Sequence, residues 1–351
     1  MAVDFQRFKT APRKPVSVTP ESLVRITSVT PGESFPLVIE PKMTSVNLAA
    51  WAGHNRDFIE SHLLRHGAIL FRGFKLETVA HFDEFVKAIS AELLEYSERS
   101  SPRSEIIKGV YTSTDHPADQ FIHFHNEQSY TQSWPMKLWF FCAQPPTERG
   151  ATPIADGRRV LKLLDPQSRE RFSRKRVMYV RNYGEGLGLS WQTAFQTSNK
   201  LEVENYCRKT LIDFTWKEGD RLRTRQIFDP IVVHPRTNEP VWFEHTAFFH
   251  ISSLEPVVRE AILAEFAEED LPFNTYYGDG SPIEPSALEE IREAYRQTAV
   301  RFPWQKQDVL LIDNVLTSHG REPFVGPRKI VIAMTELFHK KESAEAGRDA
   351  S

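Results

Sequence analysis

The segment Val309–Met334 reads VLLIDNVLTSHGREPFVGPRKIVIAM. Two apolar runs of strand length, Val309–Ile312 and Lys329–Met334, flank a polar, turn-rich stretch that holds His319, Arg321 and Arg328. Working outward, strand-like runs recur at Ala68–Phe71, Lys137–Ala143, Val177–Arg181, Arg225–Val233 and Val241–Phe243, and the prolines cluster between strands. Helices are fewer. Phe58, Ile59, His62, Leu63 and His66 recur at helical spacing, and Gly67 stands where a C-cap takes positive φ. Glu77–Ile89 places Val79, Phe82, Phe85, Val86 and Ile89 on one face, and Pro256–Phe266 and Ser286–Tyr295 also fit helices. The pattern predicts a mainly β fold with flanking helices, one sandwich or barrel and not two domains.

Composition narrows the function classes. Lys plus Arg number 44 and Asp plus Glu 47, a net charge of -3 that gives no electrostatic case for nucleic acid or an anionic membrane as partner. The 24 Phe and 7 Trp predict a sizeable packed core. Cys142 and Cys207 alone are too few for a disulfide scaffold or a Cys-rich zinc site. No apolar run approaches the roughly 18 residues of a membrane span. Residues 1–20 carry Arg7, Lys9, Arg13 and Lys14 among Pro and Thr without the apolar core of a secretory signal, and read as an arm. Residues 21–339 read as the folded domain and 340–351 as a flexible tail, and the expected location is cytoplasmic. Arg221, Arg223 and Arg225 alternate, which predicts the solvent face of a strand.

Chemistry is sought among the 12 histidines. On a strand, residues i and i+2 point the same way, so His-x-Asp/Glu offers an imidazole and a carboxylate to one ion. Two such triplets occur, His81-Phe82-Asp83 and His125-Asn126-Glu127. The first falls in the helical run Val79–Ile89, where i and i+2 diverge by about 200°, so it reads as surface. The second falls in FIHFHNEQSYT, just before the strand Lys137–Ala143, where strand-edge geometry fits. His319 supplies a third ligand. Two His and one carboxylate form a facial triad that leaves open positions on an octahedral ion, the arrangement of non-haem Fe(II) oxygenases. An Fe²⁺ ion, one Glu and a doubly charged 2-oxoacid leave a net negative site, which the Arg328 guanidinium can offset by pairing with the distal carboxylate. Taken alone, Arg328 reads as a surface cation opening a strand.

These segments together resemble the TauD/TfdA family of Fe(II)- and 2-oxoglutarate-dependent dioxygenases, and within it the SyrP-like and clavaminate-synthase-like branch. The resemblance rests on HGAILFRGF (His66–Phe74), VYTSTDHP (Val110–Pro117), HNEQSYTQSWPMKLWFFC (His125–Cys142), RGATPIADGRRVL (Arg149–Leu161), HPRTNEPVWFEHTAFFH (His234–His250) and LLIDNVLTSHGREPFVGPRK (Leu310–Lys329), in family order. It implies a double-stranded β-helix (jelly-roll, cupin-like) core with helices outside. It also implies His125, Glu127 and His319 as metal ligands, Arg328 on the 2-oxoglutarate C5 carboxylate with Thr152 supporting it, and Fe(II), 2-oxoglutarate and O₂ as cofactor and co-substrates. No side-chain acid or base is expected beyond the ligands, because metal and co-substrate carry the hard chemistry.

Two departures refine this expectation. Many family members have Asp where this chain has Glu127; the clavaminate-like branch has Glu, and a retained carboxylate argues against halogenation. Related sequences often have Asn after Trp-Phe, whereas Glu244 follows Trp242-Phe243, either altering substrate contacts or, as expected here, facing solvent. His245 and His250 read as packed histidines and not as a fourth ligand. The expected activity is hydroxylation of an unactivated carbon, Cβ foremost, of an amino acid or an aminoacyl group tethered to a carrier protein, with Arg221, Arg223 and Arg225 as the candidate carrier contact. Rival readings are a catabolic sulfonate or aryloxyacid dioxygenase using Arg321 as anion receptor, a zinc hydrolase, and a non-catalytic jelly-roll binding protein. The zinc reading lacks a His-Glu-x-x-His motif.

Overall fold

LWFFC, VLLI and IVIAM are apolar at every position because both faces of the sheet they build are covered. The computed structural model describes residues 20–95, 104–113, 116–184 and 188–340. Its largest sheet has eight strands in the order Val24–Ser28, Leu37–Pro41, Ala68–Phe71, Val309–Asp313, Ser133–Gln144, Lys329–His339, Val110–Thr112 and Glu105–Ile107. Every pairing in it is antiparallel except that of Leu37–Pro41 with Ala68–Phe71.

Alternation sorts these strands onto two cores. Trp139, Phe141, Leu311 and Val331 meet the helices Leu48–His54, Arg56–His66 and Val79–Ile89. Phe82 and Phe85 of the last helix are fully buried, the Phe82 ring stacked 5.2 Å from Phe141. At about 2–3 kcal/mol for each buried Phe, this packing outweighs any helix propensity in an 11-residue segment. The Arg56–His66 helix ends as expected: Gly67 has φ 76° and donates its N–H to the Leu63 carbonyl. Leu138, Phe140, Leu310, Ile312 and Ile332 point the other way, toward Ile154.

That inner face is covered by a three-stranded sheet in the order Ile122–His125, Thr317–Arg321, Ile154–Asp156. A four-stranded sheet, Asp213–Lys217, Arg221–Phe228, Val177–Tyr183 and Phe273–Tyr277, supplies Val177, Tyr179, Phe228 and Tyr277 to another core shared with the helices Gly157–Leu163 and Pro285–Thr298. The architecture is thus sheet-rich with helices packed outside.

Several expectations need correction. Arg225–Val233 is two strands, Arg221–Phe228 and Ile231–Val233, because Asp229-Pro230 interrupts it and proline has no N–H for a ladder. TSHGR, expected as part of a turn-rich stretch, is the strand Thr317–Arg321 with every residue buried. The helices Leu48–His54, Gly157–Leu163, Pro166–Lys175 and Lys200–Lys209 were not expected; each begins at an Asn or Asp whose side chain accepts a backbone N–H, a cap signal without a strong apolar stripe behind it. Arg223 does not face solvent. It is 6% exposed and bonds Asn182 Oδ1 at 2.9 Å and Asp270 Oδ1 at 3.1 Å, while Arg225 pairs with Asp213 at 3.2 Å. The arm at residues 1–19 and the tail at 341–351 lie outside the described residues. Among the described residues no helix is long and apolar enough to cross a membrane.

Candidate metal centre and its cavity

His125 ends the strand Ile122–His125, and His319 lies opposite it in the antiparallel register with Thr317–Arg321. The two rings approach to 4.3 Å between centroids. Gly320 permits this: a Cβ there would lie 2.6 Å from the Ile122 carbonyl oxygen. Glu127 joins them, so that one ligand atom from each of His125, Glu127 and His319 falls within 4.8 Å of the others. All three residues are buried, Glu127 to 1% exposure. The His123 carbonyl can only accept, so His125 donates from Nδ1 at 2.8 Å, which puts the lone pair on Nε2. Two imidazoles and a buried carboxylate are a donor set suited to a divalent ion, whose charge offsets that of Glu127.

Behind the ligands lies a polar network that sequence reasoning missed. Asn314 Oδ1 accepts the Glu127 N–H at 2.8 Å, and Asn314 Nδ2 donates to the carbonyls of Glu127 and Pro135, each at 2.9 Å. Asn126 Nδ2 donates to the Asn314 carbonyl at 2.6 Å, and Asn126 Oδ1 accepts the Ser318 hydroxyl at 2.9 Å. Asp313 Oδ1 accepts the N–H groups of Val315 and Leu316, while its Oδ2 accepts from His234 Nε2 at 3.0 Å. His234 Nδ1 in turn accepts from the N–H groups of Arg236 and Thr237. The IDN triplet thereby sets the turn that delivers His319. Its only sequence signal was polar residues closing an apolar strand.

Glu244 belongs to this network and not to the surface. It is fully buried. Oε1 accepts from the Tyr295 hydroxyl at 2.9 Å, and Oε2 accepts from the N–H groups of Thr246 and Ala247. Burial pushes its pKa up, against these hydrogen bonds. The cavity described below is walled by other residues, so Glu244 stands behind the wall. The next residue, His245, does reach the cavity: its ring lies 4.8 Å from that of His125, and Nδ1 bonds the Ser129 hydroxyl at 2.8 Å. Burial, then the His125 and His319 rings, push His245 well below the usual histidine pKa. His250 bonds Ser252 and is pushed down to about 4, mainly by burial.

The triad opens onto a cavity of about 550 Å³. Thr152 and Arg328 are in its wall. Arg328 Nε donates to the Gly150 carbonyl at 3.0 Å and Nη2 to Thr152 Oγ1 at 3.2 Å; Trp304 Nε1 donates to the same oxygen at 3.2 Å. With both contacts donating to it, the Thr152 hydroxyl has its own proton to give. Burial lowers the Arg328 pKa to about 10, which leaves it protonated at neutral pH, and among the described residues no carboxylate pairs with it. A buried guanidinium beside a hydroxyl donor fits a carboxylate-bearing co-substrate.

Arg321 also lines the cavity. Its Nη1 donates to the His116 carbonyl at 2.8 Å, and Nη2 donates to the carbonyls of Pro117 and Gln120. The sequence suggested an anion receptor; the geometry shows a guanidinium clasping the 116–120 wall by its backbone. His81, by contrast, is exposed on its helix, and its neighbour Asp83 pairs with Lys87 at 2.7 Å.

Comparison with known proteins identifies the family. Residues 27–335 match the family model described as taurine catabolism dioxygenase TauD, TfdA family. The chain is 41% identical over 278 residues to the dapdiamide synthesis protein DdaC of Enterobacter agglomerans, covering 79% of this chain and 84% of that protein. It is 28% identical over 320 residues to a clavaminate synthase-like protein of Arabidopsis thaliana, covering 86% and 93%. Among solved structures it is similar to PvcB, described as an Fe, alpha-ketoglutarate dependent oxygenase from an isonitrile synthetic pathway, with TM-score 0.55, 16% identity, and coverage of 92% of this chain and 96% of that one. The last likeness concerns fold.

Proposed function

The chain belongs to the TauD, TfdA family of dioxygenases, and on that premise we propose that it hydroxylates an unactivated carbon, Cβ foremost, of an amino acid or a carrier-tethered aminoacyl group in natural-product biosynthesis. It is a 2-oxoglutarate-dependent dioxygenase that uses Fe(II), 2-oxoglutarate and O₂. The observation that carries the reading is the meeting, on one cavity wall, of the His125–Glu127–His319 cluster and the Arg328–Thr152 pair. We read the eight-stranded sheet and the three-stranded sheet facing it as the two sides of a double-stranded β-helix.

His125, Glu127 and His319 would hold the iron, and Arg328 and Thr152 would hold the far carboxylate of 2-oxoglutarate. Bound iron with 2-oxoglutarate and O₂ supplies an oxidation that yields succinate and CO₂ and leaves one oxygen atom for the substrate. The chain's own work is positional. Arg328 gives charge-assisted hydrogen bonds, Thr152 gives its proton, and the Asn126–Asn314 pair fixes the backbone at Glu127. Phe121, Phe248, Phe249 and Phe273 line the cavity and exclude water from the reacting carbon.

The amino-acid reading is supported by the likeness to DdaC and by Glu127, a retained carboxylate ligand that disfavours halide transfer. The sulfonate and aryloxyacid alternative needs a cation for the substrate anion, and three N–H groups of Arg321 are committed to carbonyls. The test is substrate-stimulated succinate release across amino acids, aminoacyl-carrier proteins, sulfonates and aryloxyacids, with product masses. A gain of one oxygen on an amino acid or aminoacyl group supports the reading; stimulation by sulfonates or aryloxyacids alone overturns it.

A further inference from the structure

The strand order of the three-stranded sheet gives the cavity two flanks. On one side of Thr317–Arg321 lies Ile154–Asp156, with Ile154 on the rung of His319. That flank carries Thr152 and Arg328, with the Phe140 ring 5.1 Å from His319, and the co-substrate accounts for it. On the other side lies Ile122–His125, against which the helix Thr246–Phe249 packs. Neither iron nor 2-oxoglutarate accounts for what that helix brings.

Phe248 stands 5.1 Å from the His125 ring and 5.7 Å from Phe249, and Phe249 stacks on Phe273 at 4.7 Å. All three rings line the cavity. The histidines on this flank spend ring nitrogens on the fold: His123 donates from Nε2 to the Ser253 carbonyl at 3.2 Å, and His245 Nδ1 bonds the Ser129 hydroxyl. Leu254 and Val258 add aliphatic surface to the lining. Val258 is 47% exposed, and its helix, Pro256–Glu265, contains no buried residue. Hydrocarbon is thus left against water along a cavity wall, and an apolar ligand would cover it. The charged lining residues have other surroundings. Arg328 is beside Thr152, Arg321 clasps the 116–120 wall with Asp119 as its counter-charge, and Glu255 is exposed. A charged or carboxamide group laid on Phe248, Phe249 and Phe273 would lose its water and gain no hydrogen bond from those rings.

We propose that the side chain this enzyme oxidises is an uncharged aliphatic hydrocarbon of about leucine size, seated on Phe248, Phe249 and Phe273 with its Cβ beside the triad. The inference rests on the dioxygenase reading of the site and deepens it by naming the side-chain class, so that acidic and carboxamide side chains are disfavoured. The class is aliphatic because the carbon oxidised in that reading is unactivated, which the benzylic Cβ of an aryl side chain is not.

The holoenzyme, loaded with Fe(II) and 2-oxoglutarate without O₂, can be titrated calorimetrically with L-leucinamide, L-asparaginamide and the α-amide of L-aspartic acid. The three share one backbone and nearly one shape, and differ in an isopropyl, a carboxamide and a carboxylate group. Leucinamide is expected to bind about tenfold tighter than asparaginamide, with the aspartic amide weakest. Phe248→Ala should weaken leucinamide about tenfold and leave asparaginamide within about twofold. Val258→Ser, on a helix that buries nothing and so leaves the fold intact, should weaken leucinamide about threefold with the same contrast. Equal affinities, tighter binding of either polar probe, or no leucinamide binding overturns the proposal. The dioxygenase reading is judged separately, by succinate release in air. A leucinamide preference without succinate counts against that reading alone, and succinate release driven most strongly by the aspartic amide counts against this proposal alone.

Discussion

His125 and His319 occupy one rung of an antiparallel pair, ring centroids 4.3 Å apart, with Glu127 beside them. The rung makes each imidazole indispensable to the site. His125→Ala or His319→Ala should lower iron affinity at least about 100-fold and abolish succinate release, since the remaining pair no longer encloses the ion. His81→Ala, on an exposed helix face, should change neither. Iron stoichiometry and succinate assays on the three variants check this; activity surviving in both site variants would refute the metal assignment.

Arg328 and Arg321 are seven positions apart in sequence and do different work. Arg328→Ala should weaken 2-oxoglutarate binding by about 2–4 kcal/mol while iron binding changes far less, because a buried charge-assisted contact is lost. Arg321→Ala should instead loosen the 116–120 wall, raising the apparent KM for the prime substrate more than that for 2-oxoglutarate. A co-substrate defect in Arg321→Ala without one in Arg328→Ala would reverse the assignments.

Asn314 holds both peptide groups of Glu127. Asn314→Ala leaves a buried N–H and two carbonyls without that partner, so stability should drop by about 2–4 kcal/mol and iron affinity by about 10–100-fold. Denaturant unfolding and iron titration of the same variant measure the two effects.

Glu244 gives a pH prediction. Its carboxyl pKa is raised by burial, so the folded state favours the protonated form. The stability this contributes is present in full below the unfolded pKa and declines as pH rises through the folded value. Glu244→Gln keeps an acceptor for the Thr246 and Ala247 N–H groups without the charge. Its melting temperature relative to wild type should therefore shift upward in the variant's favour between acid and neutral pH. A difference that stays flat with pH, or moves the other way, would show that the carboxylate is held in its charged form.

What could be read from the residues followed periodicity and context. The apolar strands around Leu138–Cys142 and Val309–Ile312 stood out because both faces are buried, and the contrast between His81 on a helix and His125 on a strand separated two identical-looking triplets. Polar segments were harder. Thr317–Arg321 is polar throughout apart from Gly320, yet it is a buried strand because Thr317, Ser318 and Arg321 bond groups distant in sequence that no local pattern announces. Arg223 and Glu244 misled for the same reason. A charged residue is ordinarily exposed, and only the approach of Asp270 to one and of Tyr295 to the other, far away in sequence, makes burial tolerable. The place of Arg328 in the cavity wall agrees with the charge argument, whereas the carbonyl grip of Arg321 depends on a loop conformation that side-chain identities do not encode.

That grip has a consequence for how such an enzyme diversifies. Arg321 holds its wall through backbone oxygens, which every amino acid carries, so the side chains of Gln120 and Phe121 displayed there are not part of the fastening. Thr317–Arg321 is the opposite case: Thr317 bonds the Gly67 carbonyl, Ser318 bonds Asn126, His319 joins the triad, Gly320 must stay small, and Arg321 clasps the loop. A side-chain replacement on that rim therefore leaves the loop fastened and the triad strand in place, whereas a replacement within Thr317–Arg321 disturbs both.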